Sequence, residues 1–150
     1  MIPVPLLYVH GNHDLTYITA PPEGCECIED RLITYRGIRI LGLGGSHRYS
    51  PGAHQYSEPQ MKRRIARLKL KLWRSRGVDI VVTHAPAFQI GDGDDVCHRG
   101  FQCFVDLIDR YKPKYMFHGH QHLNYGNGQR IYQRHDTKIM NAFGYFIVEY

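Results

Sequence analysis

An α/β fold follows from three features of this chain. Short apolar runs have the length of strands, amphipathic stretches of helical period lie between them, and polar turns close the runs. The first run, "VPLLYV" at 4–9, fits one buried strand and stops abruptly at "GNHD". "LITYR" at 32–36 and "IRILGL" at 38–43 read as two strands joined near Gly37. The Gly-, Pro- and Ser-rich segment "GGSHRYSPGAHQYSEP" is a loop long enough to suggest a functional role.

A helix then opens at Ser57, an N-cap residue, with Glu58 and Pro59 in the first turn. Met61, Ile65, Leu68 and Leu72 recur at intervals of three and four, building one apolar stripe, and Gly77 closes it. "VDIVVTH" at 78–84 is the clearest strand. The loop "APAFQIGDGDDVCHRG" leads into a second helix over about 101–112, stopped by Pro113. "KYMFHGHQH" runs again from strand into histidines. "QRIYQRH", "KIMNA" and "GYFIVEY" read as short strands separated by Asn, Gly and Asp turns. No repeat, low-complexity tract or linker divides the 150 residues, so a single domain is expected over 1–150.

Composition bounds the function. A hydrophobic content of 43% with 22% charged residues excludes a disordered chain. No apolar stretch approaches the roughly 20 residues that span a bilayer, and the N-terminus lacks the features of a secretory signal. A cytoplasmic protein without membrane partners is expected, with Cys25, Cys27, Cys97 and Cys103 reduced. Cys97 and Cys103 lack the usual zinc spacings and read as small buried residues. Of the net charge of +5, most lies in "QMKRRIARLKLKLWRSRG", which holds eight Lys or Arg and no acid. That stretch suits anionic partners, phosphate esters included. As a nucleic-acid surface it would offer Lys62, Arg63, Arg67, Lys69, Lys71 and Arg74 to phosphates.

The chemistry concentrates where strands end. "GNHD", "THAP" and "HGHQH" each follow an apolar run, and in α/β sheets the loops after strand C-termini gather on one edge. Together they supply Asn12, His13, His84, His120 and His122. Imidazole nitrogens and an amide oxygen suit Zn, Fe, Mn, Co or Ni.

"GNHD" at 11–14, "THAP" at 83–86 and "GHQH" at 119–122 resemble, in order, the last three signature blocks of the calcineurin-like metallophosphoesterases. "CHRGFQCFVDLIDRYKPKYMFHGHQH" also resembles the region before the last block in small bacterial members. The resemblance implies a two-sheet sandwich flanked by helices, and phosphomonoester or phosphodiester hydrolysis by metal-activated hydroxide. It implies Asn12, His84 and His120 on one metal and His122 on its neighbour. It also implies His13 beside the leaving group, with Asp14 orienting His13. His98 and His54 are the candidate substrate contacts, in loops beside the presumed site.

The family pattern begins with Asp-x-His and Gly-Asp blocks, and neither precedes "GNHD" here. Gly91-Asp92 follows "THAP", so it does not map to the bridging position. One amide and three neutral imidazoles leave the +4 of two divalent ions without an anionic ligand. Two metals are therefore expected in the complete site, and one at Asn12, His84 and His120 in this chain alone. The absent first strand would leave the strand at 4–9 with open edges and bare apolar faces. The favoured explanation is an internal start at Met1. The others are a complementing N-terminal segment or second copy, as in a homodimer, and a shortened scaffold that binds nucleic acid, a nucleotide or a protein.

Overall fold

The computed structural model describes residues 4–123 and 128–150. Met1 and part of the turn expected after His122 lie outside them. Along the chain, β1 (Leu6–Tyr8) is followed by a 3-10 turn at Leu15–Ile18, then β2 (Cys25–Cys27), β3 (Arg31–Tyr35) and β4 (Ile38–Leu43). β5 (Ser46–His47) and β6 (Gln55–Tyr56) bracket the long loop. Next come α1 (Glu58–Arg67), α2 (Lys69–Arg74), β7 (Ile80–Thr83), α3 (Gln102–Tyr111) and β8 (Tyr115–His118). β9 (Ile131–Arg134) and β10 (Thr137–Asn141) close the sheet.

Six strands form one sheet in the order β3-β4-β7-β8-β10-β9, with β1-β2 and β5-β6 as separate two-stranded pairs. β4, β7, β8 and β10 run parallel, and antiparallel β3 and β9 close the two edges. The parallel strands therefore deliver the residues after Leu43, Thr83, His118 and Asn141 to one edge. Leu41, Leu43, Val81, Met116 and Ile139 of the sheet pack with Met61 and Ile65 of α1 and Phe104 and Ile108 of α3. Each such side chain stabilises the fold by about 1.5–3 kcal/mol relative to remaining in water.

Ser57 caps α1 in a capping box: its hydroxyl accepts from Gln60 N, and Gln60 Oε1 accepts from Ser57 N at 2.8 Å. The expected stripe is buried at Met61, Ile65, Leu68 and Leu72, but the single helix is two. Leu68 bonds to Ile65 O in a 3-10 step, which breaks the α ladder there. "GYFIVEY" is not a strand; among the described residues none pairs with it, and an alternating pattern alone does not hold an isolated strand. β2, β5 and β6 carried no comparable signal, being two or three residues long.

Among the described residues, no helix is long and apolar enough to cross a membrane.

Candidate metal centre

The turn after β1 is built on Gly11. Its N–H donates to Asp14 Oδ2 at 2.6 Å, and Asp14 N donates back to Gly11 O at 3.3 Å. A Cβ at Gly11 would lie 3.0 Å from both Asp14 Oδ2 and His84 Cε1, so any larger residue would push these side chains aside. The turn buries Asn12 and leaves His13 exposed.

Three donor atoms then converge. His84 Nε2 lies 2.9 Å from Asn12 Oδ1 and 2.9 Å from His120 Nδ1. Asn12 is oriented from behind, because its amide donates to Tyr49 Oη at 2.9 Å and turns Oδ1 toward the histidines. Tyr49 is held by the long loop, where buried Gln55 accepts from Tyr49 N at 3.1 Å and Ser50 N at 3.0 Å. His120 adopts φ 62°, a left-handed conformation that costs a non-glycine residue about 1–3 kcal/mol. Gly119 N donates to His84 O at 3.0 Å and ties the two histidine turns together.

Burial, and then the neighbouring His120, push His84 down to about 4, against a smaller opposing pull from Asp14. His120 and His118 are lowered too, chiefly by burial. These imidazoles are thus neutral at pH 7 and keep a lone pair for a cation. Adjacent ligands on one small divalent ion, with bonds near 2.1 Å at right angles, stand roughly 3 Å apart. His84 Nε2 stands at that spacing, 2.9 Å, from both Asn12 Oδ1 and His120 Nδ1.

These donors face a cavity of about 440 Å³ lined also by His13, His98 and His122. His122 stacks on Phe143 with ring centroids 4.8 Å apart. No carboxylate lines the cavity among the described residues, and the amide and imidazole donors that converge there are neutral.

Two expected roles differ in place. His54 is not among the cavity's lining residues: it stacks on His10 at 4.5 Å, because the loop turns back at this residue with φ 53°. Asp14 makes its hydrogen bond to the Gly11 amide rather than to His13, since the tight turn points the carboxylate at the backbone. Cys97 differs as well. It lines the cavity half-buried, with Sγ 3.8 Å from His120 Nε2, and burial followed by Asp95 raises its thiol. Its position beside His98 was the available signal. Tyr49, one of eleven tyrosines, had none.

An ion cluster centred on buried Arg64 braces the β1 end. Glu29 accepts from His10 N at 2.8 Å and from Arg64 at 2.5 Å. Arg64, 6% exposed, also donates to Asp30 at 2.8 Å and Gly44 O at 2.8 Å, and it lies 4.2 Å over the Tyr56 ring. Gly44 must be glycine, because a Cβ there would collide with the Glu29 carboxylate and the His10 carbonyl.

Residues 1–124 match the model of the calcineurin-like phosphoesterase family. An uncharacterized protein of Haemophilus influenzae is 28% identical over 141 residues, covering 79% of this chain and 62% of that protein. The crystal structure of TT1561 from Thermus thermophilus superposes with a TM-score of 0.62 at 16% identity, covering 93% of this chain and 63% of that one. A second solved structure gives 0.60 at 15%, covering 91% and 56%. At these identities the two structures establish the fold, and the chain spans about three-fifths of the length of each relative. The chain belongs to the calcineurin-like phosphoesterase family.

Proposed function

We propose that this chain supplies the metal-binding half of a phosphate-ester hydrolase. The observation that carries the reading is the convergence of Asn12 Oδ1, His84 Nε2 and His120 Nδ1 on one cavity. These three would hold one divalent ion of the Mn, Fe, Zn, Co or Ni class, and His122 would reach a second. When bound, such ions supply Lewis acidity, lowering the pKa of water and neutralising charge on phosphate oxygens. His13, exposed on the turn and lining the cavity, would give its proton to the departing alkoxide oxygen. Asp14 would hold the turn that aims His13, acting through the Gly11 amide. His98 would hydrogen-bond a phosphate oxygen at the rim.

Neutral donors alone offset none of the charge of two cations, so efficient hydrolysis requires a carboxylate from outside the cavity described above. That carboxylate would come from an N-terminal segment or from a second copy. With added Mn²⁺, bis(p-nitrophenyl) phosphate hydrolysis should stay near background for this chain alone. It should rise when a segment carrying Asp-x-His and Gly-Asp blocks is joined upstream. No rise, together with no effect of His13→Ala in either protein, would sink the reading.

One observation favours a second activity, a nucleic-acid surface. Lys62, Arg63, Arg67, Lys69, Lys71 and Arg74 are exposed on α1 and α2, with Trp73 74% exposed among them. Basic groups around an exposed indole suit a phosphate backbone with a stacked base. Titration of labelled single-stranded oligonucleotide should show binding that weakens as salt rises, and no binding at low salt would remove this activity.

A further inference from the structure

The cavity beside the metal donors does not end at His122. Gln121 and His122 also line an adjoining cavity of about 360 Å³, together with Gly91, Asp92, Gln129 and Tyr132. Both cavities lie within the roughly 300–1,000 Å³ range of small-molecule sites. The shared wall is well supported. Gln121 O accepts from Asn141 Nδ2 at 2.8 Å, and Gln121 N donates to Gly119 O at 2.7 Å. Gly91, at φ 69°, seats against the Tyr132 ring, where a Cβ would come within 2.9 Å of a ring carbon.

The polar groups of this second cavity are partly spent within the protein. Gln121 Nε2 donates to His98 O at 3.3 Å, and Gln129 Nε2 donates to Ile131 O at 2.8 Å. Asp92 Oδ2 accepts from Gly100 N at 2.8 Å. Among the described residues, Gln121 Oε1, Gln129 Oε1 and Asp92 Oδ1 have no protein donor, and each amide keeps one further N–H. A ligand seated here meets three acceptor oxygens, one of them anionic, and two amide donors.

We propose that this cavity receives the alcohol part of the substrate, and that the substrate is the phosphate ester of a sugar or similar polyol. The assignment rests on the hydrolase reading above, with phosphorus held beside Asn12, His84 and His120. Hydroxyl groups both donate and accept, so a polyol can pair with the amides and the carboxylate together. An aryl alcohol would leave those groups unpaired, which is how a polar site rejects an apolar analogue. The negative charge of Asp92 disfavours a second phosphate or a carboxylate on the ligand. The Tyr132 ring offers an apolar patch to the C–H face of a sugar.

Calorimetry on the zinc-loaded chain tests the assignment, because the near-background hydrolysis expected of this chain leaves the esters intact. Glucose 6-phosphate should bind about tenfold or more tighter than phenyl phosphate, as a few added hydrogen bonds provide. Asp92→Asn keeps an acceptor for Gly100 N, and together with Gln129→Ala it should cut that preference to about threefold or less. Equal affinity for the two esters, or a preference unchanged in the double variant, overturns the proposal. Tighter binding of phosphoethanolamine than of glucose 6-phosphate also overturns it, since the cavity would then select a cation. A second readout needs neither metal nor phosphate. Methyl glucoside added to the metal-free chain should shift the side-chain amide NMR signals of Gln121 and Gln129, and no shift at high concentration counts against the cavity. If zinc adds nothing to the affinity of any phosphate ester, the hydrolase reading fails, and the glucoside shifts decide the cavity separately. Matching thermal melts show that the variants are folded.

Discussion

Two kinds of support meet at this site. His84 and His120 follow β7 and β8, adjacent parallel strands whose Val81 and Met116 lie in the core. Asn12 and His13 follow β1, which pairs among the described residues only with three-residue β2 and leaves Val4 75% and Leu6 59% exposed. The sheet-borne ligands are fixed by hydrophobic packing. The residues after β1 are fixed by an ionic clasp, half-buried Glu29 with buried Arg64, and by the polar contacts of Asn12 to Tyr49 and His84. Half of the site is thus ordinary core architecture, and half depends on charges that a substitution can unbalance.

The largest expected effect comes from cutting the clasp. Arg64→Ala leaves Glu29 half-buried without its cation and frees Gly44 O and Asp30 as well. Removing one partner of a fully buried pair costs about 3–5 kcal/mol, and with Glu29 half-buried and Asp30 exposed urea unfolding should show a loss near the lower end, about 3 kcal/mol. The contrast between regions predicts more: amide exchange should rise first at residues 8–14 and 26–30, with β7 and β8 still protected. Uniform exchange across both regions would mean that Arg64 serves the whole core.

That clasp also marks where sequence reading stopped. The α/β class and three histidine-bearing strand ends were legible, because apolar runs and their polar stops are local patterns. So was the buried stripe of α1. Arg64 stands three residues after Met61 and four before Leu68, on the face of the stripe, but its charge masks that position among the basic residues of "MKRRIAR". Its burial arises only when β4 and the β2–β3 turn meet α1. Cys97, Tyr49 and the displaced His54 share this property. Their neighbours are distant in the chain, and a long loop's path decides whom they touch.

A smaller effect appears with acid. His84 is held near 4 instead of 6.5 by burial, so between those values the unfolded chain binds a proton that the folded chain refuses. Stability should therefore fall as pH drops from 6.5 toward 4 and stay level above that window. The lowered His118 and His120 act in the same direction. The contribution of His84 is on the order of 2–3 kcal/mol after allowance for its partial exposure. Chemical denaturation at several pH values should show a flatter curve for His84→Gln; an unchanged slope would mean that His84 titrates normally.

Gly11→Ala should be milder still for folding, about 1 kcal/mol, because its Cβ meets side-chain atoms at 3.0 Å that can yield slightly. The cost falls on geometry, since yielding moves His84 away from Asn12. Manganese affinity measured by calorimetry should drop about tenfold or more. An unchanged affinity would show that the β1 turn does not set the spacing of Asn12 and His84.

The smallest change tests the bare side of β1. Leu6 is exposed and Leu41 is fully buried, though both are leucines in strands. In the isolated chain Leu6→Gln should alter stability by less than about 0.5 kcal/mol, as surface substitutions do. Leu41→Gln should cost several times as much, because it buries an amide without a partner. Measurement at two protein concentrations makes this decisive. If β1 is covered by a second copy, the wild-type melting temperature rises with concentration and Leu6→Gln removes the rise. A small, concentration-independent effect places any completing strand on a different chain segment, and it leaves the polar contacts of Asn12 and Glu29 as the support of this half of the site.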